Sequence, residues 1–243
     1  MSEVVTTGLF FVVILLSHII HGITGFAGTL LAMPFAIELV GIDVARPVLN
    51  VLAIFSGFYV LVNNYKYVNY KELRKIVLIM LVGIFSGIYI KFLFVGNERV
   101  LMIFLGIFII YLSIKGLFIK KKEYKETSAI KSNALLVFAG IVHGIFVAGG
   151  PILIGYLSEK IKDKTVFRAT ISTVWIFLNT VILADDIRMG LWDGELLKIL
   201  AIGTPILFGG MFIGTKLYHK MNQETFMKIT YILLFIAGVI TIF

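Results

Sequence analysis

The residues of this chain that could do chemistry are few, and they gather at two places. His21 is followed by Gly22, Ile23, Thr24, Gly25, Phe26, Ala27, Gly28 and Thr29, and His143 by Gly144, Ile145 and then Gly149, Gly150 and Pro151. An imidazole with an ordinary pKa of about 6.5 exchanges protons near neutral pH, which makes His21 and His143 candidate proton carriers. The glycines carry a different chemistry. They let the backbone leave helical geometry, and a helix that restarts beyond such a break exposes unpaired N–H groups that attract an anion. Pro151 suits the first turn of a restarting helix, where its missing N–H goes unneeded. The candidate substrate-binding residues are therefore Gly22, Thr24, Gly25, Phe26, Gly28 and Thr29 in the first cluster and Gly144, Gly149 and Gly150 in the second. Arg46 and Arg168 are candidate anion-attracting groups, and Asn50 and Ser172 could donate hydrogen bonds to an oxyanion.

Each of these residues also has a plainer reading. Glycines allow close helix packing, as Gly83-x-x-x-Gly87 and Gly210-x-x-x-Gly214 are expected to do. A histidine can bond a carbonyl inside a helix interface, the reading favoured for His18. An arginine near a helix end often snorkels to the membrane surface. No enzyme constellation is present. The chain has no Cys, which excludes thiolate catalysis and Cys-ligated metals. It has no glycine-rich phosphate loop with Lys and no His-x-x-x-His pair with a nearby Glu. His18-x-x-His21 alone is a weak metal signal, so no catalytic residue, metal or cofactor is expected.

The elements that must position these residues are membrane helices. Hydrophobic residues make up 59% of 243 positions and charged residues 15%, with a mean hydropathy of +1.01, more than one water-soluble core can hide. Eight hydrophobic segments follow: Val4 to Val40, Ala45 to Asn63, Ile76 to Val95, Val100 to Ile119, Asn133 to Ser158, Val166 to Ala184, Leu196 to Leu217 and Phe226 to Phe243. The first lacks a basic leader and is too long for a signal peptide, so it is expected to be mature structure. The net charge of +8 lies in short clusters between apolar runs, which fits membrane topology and not nucleic acid. Trp175, Trp192, Tyr65, Tyr67 and Tyr70 are candidate interface anchors.

The two clusters belong to a duplication. A shift of 122 residues superposes His21-Gly22-Ile23 on His143-Gly144-Ile145, Gly28 on Gly150, Arg46 on Arg168, Asn50 on Ser172 and Gly87 on Gly209. The expected domains are a first repeat over 1–119, a cytoplasmic linker over 120–132 and a second repeat over 133–243. If each first element enters and leaves on one side, 17 of the 22 Lys and Arg residues fall on one side, Arg168 among them, against 12 if it crosses. Basic residues collect in cytoplasmic loops. The expected fold is thus an all-α polytopic membrane protein with two inverted repeats of about 120 residues, each a broken re-entrant element plus three spans. Re-entrant tips from opposite faces would bring Gly28 and Gly150 together near mid-membrane.

At these residues the sequence resembles the sulfite exporter TauE/SafE family, also called the toluene sulfonate uptake permeases, over its whole length. The family's Gly-x-x-Gly-Phe-Gly-Gly-like signature and following Pro correspond to Gly22, Gly25, Phe26, Ala27, Gly28 and Pro34, with Ala27 standing where glycine is usual. Its second glycine cluster with an Arg beyond corresponds to Gly144, Gly149, Gly150, Pro151 and Arg168. The resemblance implies transport of small sulfur-containing or organic anions such as sulfite or sulfonates, driven by an ion gradient. The expected partners are a small-anion substrate and the lipid bilayer of the cell membrane. Proton or sodium coupling and a homo-oligomer both stay open. Two other functions fit the same sequence: an anion channel, and a scaffold subunit whose glycines only pack helices.

Overall fold

The apolar runs fold as helices over nearly their whole length. The computed structural model describes residues 3–93, 98–118, 128–147 and 149–242. Among them are ten α-helices and no strand: α1 Glu3–Thr24, α2 Ala27–Val40, α3 Ile42–Asn64, α4 Tyr70–Leu93, α5 Glu98–Phe118, α6 Ala129–Phe146, α7 Gly150–Lys160, α8 Lys164–Arg188, α9 Gly194–Lys220 and α10 Gln223–Ile242. The eight segments become ten helices because the first and fifth are each broken at their glycines. Most of the linker expected over 120–132 lies outside the described residues, and α6 takes residues 129–132 of it.

Six of these helices are long and apolar enough to cross a membrane, whereas α2 and α7, with 14 and 11 residues, are too short. Large apolar side chains such as Val12, Leu16, Val62, Val82, Phe85 and Phe212 stand exposed, as a lipid-facing surface requires. The architecture is that of an all-helical, multi-pass membrane protein. Several helices begin earlier than the apolar runs because polar caps start them. Asn69 Oδ1 accepts from Glu72 N at 3.1 Å, Asp163 Oδ1 from Val166 N at 2.9 Å, Asp193 Oδ1 from Leu196 N at 2.8 Å and Asn222 Oδ1 from Thr225 N at 2.8 Å. Each satisfies an amide that the first turn would leave unpaired. Tyr65, Tyr67 and Tyr70 are exposed as anchors need to be, but Trp175 is buried and anchors nothing at an interface.

The chain divides into two compact units that do not follow the sequence halves. One comprises residues Met1–Leu73 with Arg168–Met221, and the other Arg74–Phe167 with Asn222–Phe243. Each unit therefore draws helices from both halves. In the first, α1 packs on α9 so closely that a Cβ on Gly22 would stand 2.8 Å from Met211 O, and one on Gly210 2.7 Å from Leu15 O. A core of Phe10, Ile14, Val48, Leu49, Leu52, Leu207 and Met211 fills the space beside this contact. In the second, α4 meets α6 the same way: a Cβ on Gly144 would stand 2.5 Å from Ile84 O, and one on Gly83 would overlap Val137 O. The contacts correspond residue for residue, Gly22 to Gly144 and Leu15 to Val137 by 122, Met211 to Ile84 and Gly210 to Gly83 by 127. The two Gly-x-x-x-Gly motifs thus pack helices, as glycine pairs in membranes commonly do.

Equivalent helices also pair within each unit, and they run antiparallel. In the first unit Asn50 Nδ2 of α3 donates to Asn179 O of α8 at 3.1 Å, and Gly57 of α3 lies against Ser172 O. The shift of 122 turns one contact into the other, since it takes Asn50 to Ser172 and Gly57 to Asn179. In the second unit Gly106 of α5 lies against Gly238 O of α10, and Ser113 Oγ donates to Tyr231 O at 2.8 Å. A shift of 125 exchanges those two contacts likewise.

Candidate functional site

The break between α1 and α2 is built by Thr24 and Gly25. Gly25 N closes the last turn of α1 on His21 O at 2.7 Å, and the residue then takes φ +83°, a conformation that glycine adopts without steric cost. Thr24 Oγ1 accepts from Ala27 N at 3.2 Å. The hydroxyl thus satisfies an amide at the start of α2, so Thr24 serves as a cap more than as a free ligand group. Ser172 Oγ of α8 donates to Gly25 O at 3.1 Å and holds the break against α8.

Arg168 lies one turn into α8 and is buried at 2% exposure. Its Nη2 donates to Gly22 O at 2.6 Å and to Thr215 Oγ1 at 2.9 Å, and the guanidinium stands 4.5 Å from the centre of the Tyr218 ring. Nε has no hydrogen-bond partner. Among the described residues no carboxylate pairs with this cation. The location corrects the reading of Arg168 as a surface basic residue, and it removes one cation from the topology count. The signal that misled is the position five residues from a helix start, which snorkelling and burial share.

Beside it, both ring nitrogens of His21 are buried and unpartnered. The ring stacks on His18 at 5.9 Å, interplanar angle 3°. His18 has the role expected of it, with Nδ1 2.7 Å from Ile14 O. Gly28, in the first turn of α2, is the close approach: a Cβ there would stand 2.8 Å from His21 Nδ1. Thr29 Oγ1 is also buried without a partner. Unpaired polar groups at this depth are costly unless something polar meets them. A guanidinium with no carboxylate beside it among the described residues, an open imidazole and a restarting helix are groups whose chemistry suits a small anion.

The model of the family described as sulfite exporter TauE/SafE matches residues 9–241. The chain belongs to the TauE/SafE sulfite exporter family. It is accordingly a multi-pass integral membrane protein of a transporter family. Searches of curated proteins and of solved structures give no match.

In this TauE/SafE chain, the first unit brings together His21, Gly22, Thr24, Gly25, Phe26, Gly28, Thr29, Arg168 and Ser172. Phe26 is the buried cap residue before α2. Asn50 and Arg46 lie near the start of α3, away from the break. Arg46 Nη2 pairs with Asp186 Oδ1 at 3.1 Å, and Asp186 is fully buried, so Arg46 is already neutralised. The second unit holds His143, Gly144, Gly149 and Gly150 around its own break. There Val147 N bonds His143 O at 2.8 Å, as Gly25 N bonds His21 O, and Val147 takes φ 55°, an outlier for a β-branched side chain. A Cβ on Gly149 would stand 2.8 Å from His143 Cβ, the approach that Gly28 makes to His21.

Sequence reasoning missed Thr215, Tyr218 and Asp186. The first two follow Gly214 on α9, and the glycine motif that seats α9 against α1 was the available signal. Asp186 announced itself only as a lone carboxylate near the end of an apolar run. α1 uses 22 residues before the break, and Gly25 lies against Arg168 and Ser172, the fifth and ninth residues of α8.

Proposed function

We propose that this chain is a secondary transporter of small sulfur-containing anions, sulfite or sulfonates foremost, in the plasma membrane, and that it has no enzymatic role. The observation that carries this reading is Arg168: a buried cation with no carboxylate partner among the described residues, facing the break at Gly22 and Gly25 beside the open ring of His21. An oxyanion there would meet the guanidinium, the imidazole and the hydroxyl of Thr29. The antiparallel pairing of α3 with α8 and of α5 with α10 supports inverted repeats, because equivalent helices of parallel repeats would point the same way. His21 and His143 are the candidates for carrying a coupled proton.

The test is a proteoliposome flux screen with sulfite, sulfate, thiosulfate, methanesulfonate and small carboxylates, with and without an imposed pH gradient. Sulfite or methanesulfonate flux that responds to the gradient is expected, and His21→Gln with His143→Gln should keep downhill flux while losing that response. Absence of flux for every anion would return the chain to a scaffold role. Unchanged pH dependence in the double variant would return both histidines to helix packing.

A further inference from the structure

The duplication gives the chain two arginines in one register, and the first unit treats them oppositely. Arg46 is the fifth residue of α3 and Arg168 the fifth of α8. The two helices are antiparallel and exchange contacts under the shift of 122, so each arginine lies near the end of its partner helix. For Arg46 that end supplies Asp186, fully buried and 3.1 Å away. The residue 122 positions before Asp186 is Asn64, an amide whose Nδ2 bonds Val60 O at 3.0 Å. The end of α3 therefore offers Arg168 no carboxylate where the end of α8 offers one to Arg46.

Resting on the reading of Arg168 as the anion site, we propose that Arg46 is a second anion site of the same ancestry, kept filled by the carboxylate of Asp186. Asp186 is then a built-in counter-ion that limits the chain to one bound anion. The physical requirement is the same at both places. A guanidinium held away from water needs a negative partner. One copy takes it from the chain, and the other takes it from solution. The chemistry fits a small oxyanion at both, because carboxylate and sulfur oxyanions present similar pairs of oxygens to a guanidinium fork.

The experiment is equilibrium dialysis of the purified full chain in detergent with radiolabelled sulfite, in a gluconate buffer. Wild type is expected to bind one equivalent, lost in Arg168→Gln. Asp186→Asn should bind two, the second disappearing when Arg46→Gln is added. Asn64→Asp, at a half-buried helix end that tolerates a polar change, should supply Arg168 with an internal carboxylate and weaken binding by about tenfold or more. An Asp186→Asn protein that still binds a single equivalent overturns the proposal. Should that variant fail to fold, an Asn64→Asp protein that binds as wild type does overturns it instead. If wild type binds nothing while Asp186→Asn binds one equivalent dependent on Arg46, the role of Asp186 stands and the reading of Arg168 falls.

Discussion

At the scale of single residues, two equivalent arginines differ in how they are neutralised: Arg46 pairs with Asp186, and no carboxylate among the described residues pairs with Arg168. A buried cation is held in place by its hydrogen bonds, here to Gly22 O and Thr215 Oγ1, but those neutral partners do not cancel its charge. An anion that binds only the folded protein raises apparent stability, by about 2.7 kcal/mol at one hundred times its Kd. Arg168→Gln is expected to remove that gain for sulfite and methanesulfonate in thermal unfolding, while leaving the protein inserted. Stabilisation equal to wild type in the variant would place the anion elsewhere.

At the scale of elements, glycines of similar appearance do different work. Gly83 and Gly214 seat one helix against another, and a side chain on either would run into Val137 O or Ile19 O. Backbone carbonyls do not move aside, so Gly83→Val should destabilise the anion-free protein, by about 1–3 kcal/mol or more. Gly28 instead lies against His21 and Ser17 of α1, where a Cβ would stand 2.8 Å from His21 Cβ and Nδ1 and 3.1 Å from Ser17 O. Gly28→Ala is therefore expected to weaken sulfite binding as well as lower the anion-free melting temperature, because it also displaces His21, whereas Gly83→Val lowers the melting temperature and leaves sulfite binding by the folded protein unchanged. Thermal unfolding of both variants with and without sulfite checks the contrast. Identical behaviour would mean that Gly28 also serves packing alone.

At the scale of the whole molecule, the two halves exchange helices. The α1–α2 element of the first half packs with α8 and α9 of the second, and α4 and α5 of the first half pack with α6 and α10 of the second. Pairs of equivalent helices running antiparallel support the proposed repeats of opposite sense. If the broken element between them leaves on the side it entered, cysteines introduced at Lys122 and at Lys162 should be labelled from the cytoplasmic side only. Labelling from opposite sides would make the repeats parallel.

Much of this was legible in the sequence. Hydropathy shows the membrane helices because burial in lipid asks only for local composition over about twenty residues. Recurrence of His-Gly-Ile and of Arg46 with Arg168 shows the duplication, and clustered glycine shows both breaks, since the freedom of glycine is a property of the residue itself. Helix starts were less legible because caps such as Asn69 and Asp193 extend helices beyond the apolar run. The tertiary structure alone decided which arginine meets a carboxylate. Nothing local to Arg46 or Arg168 distinguishes them. Their charges are settled by what the far end of a partner helix brings, Asp186 to one and no carboxylate to the other, and that meeting exists only once α3 and α8 lie side by side.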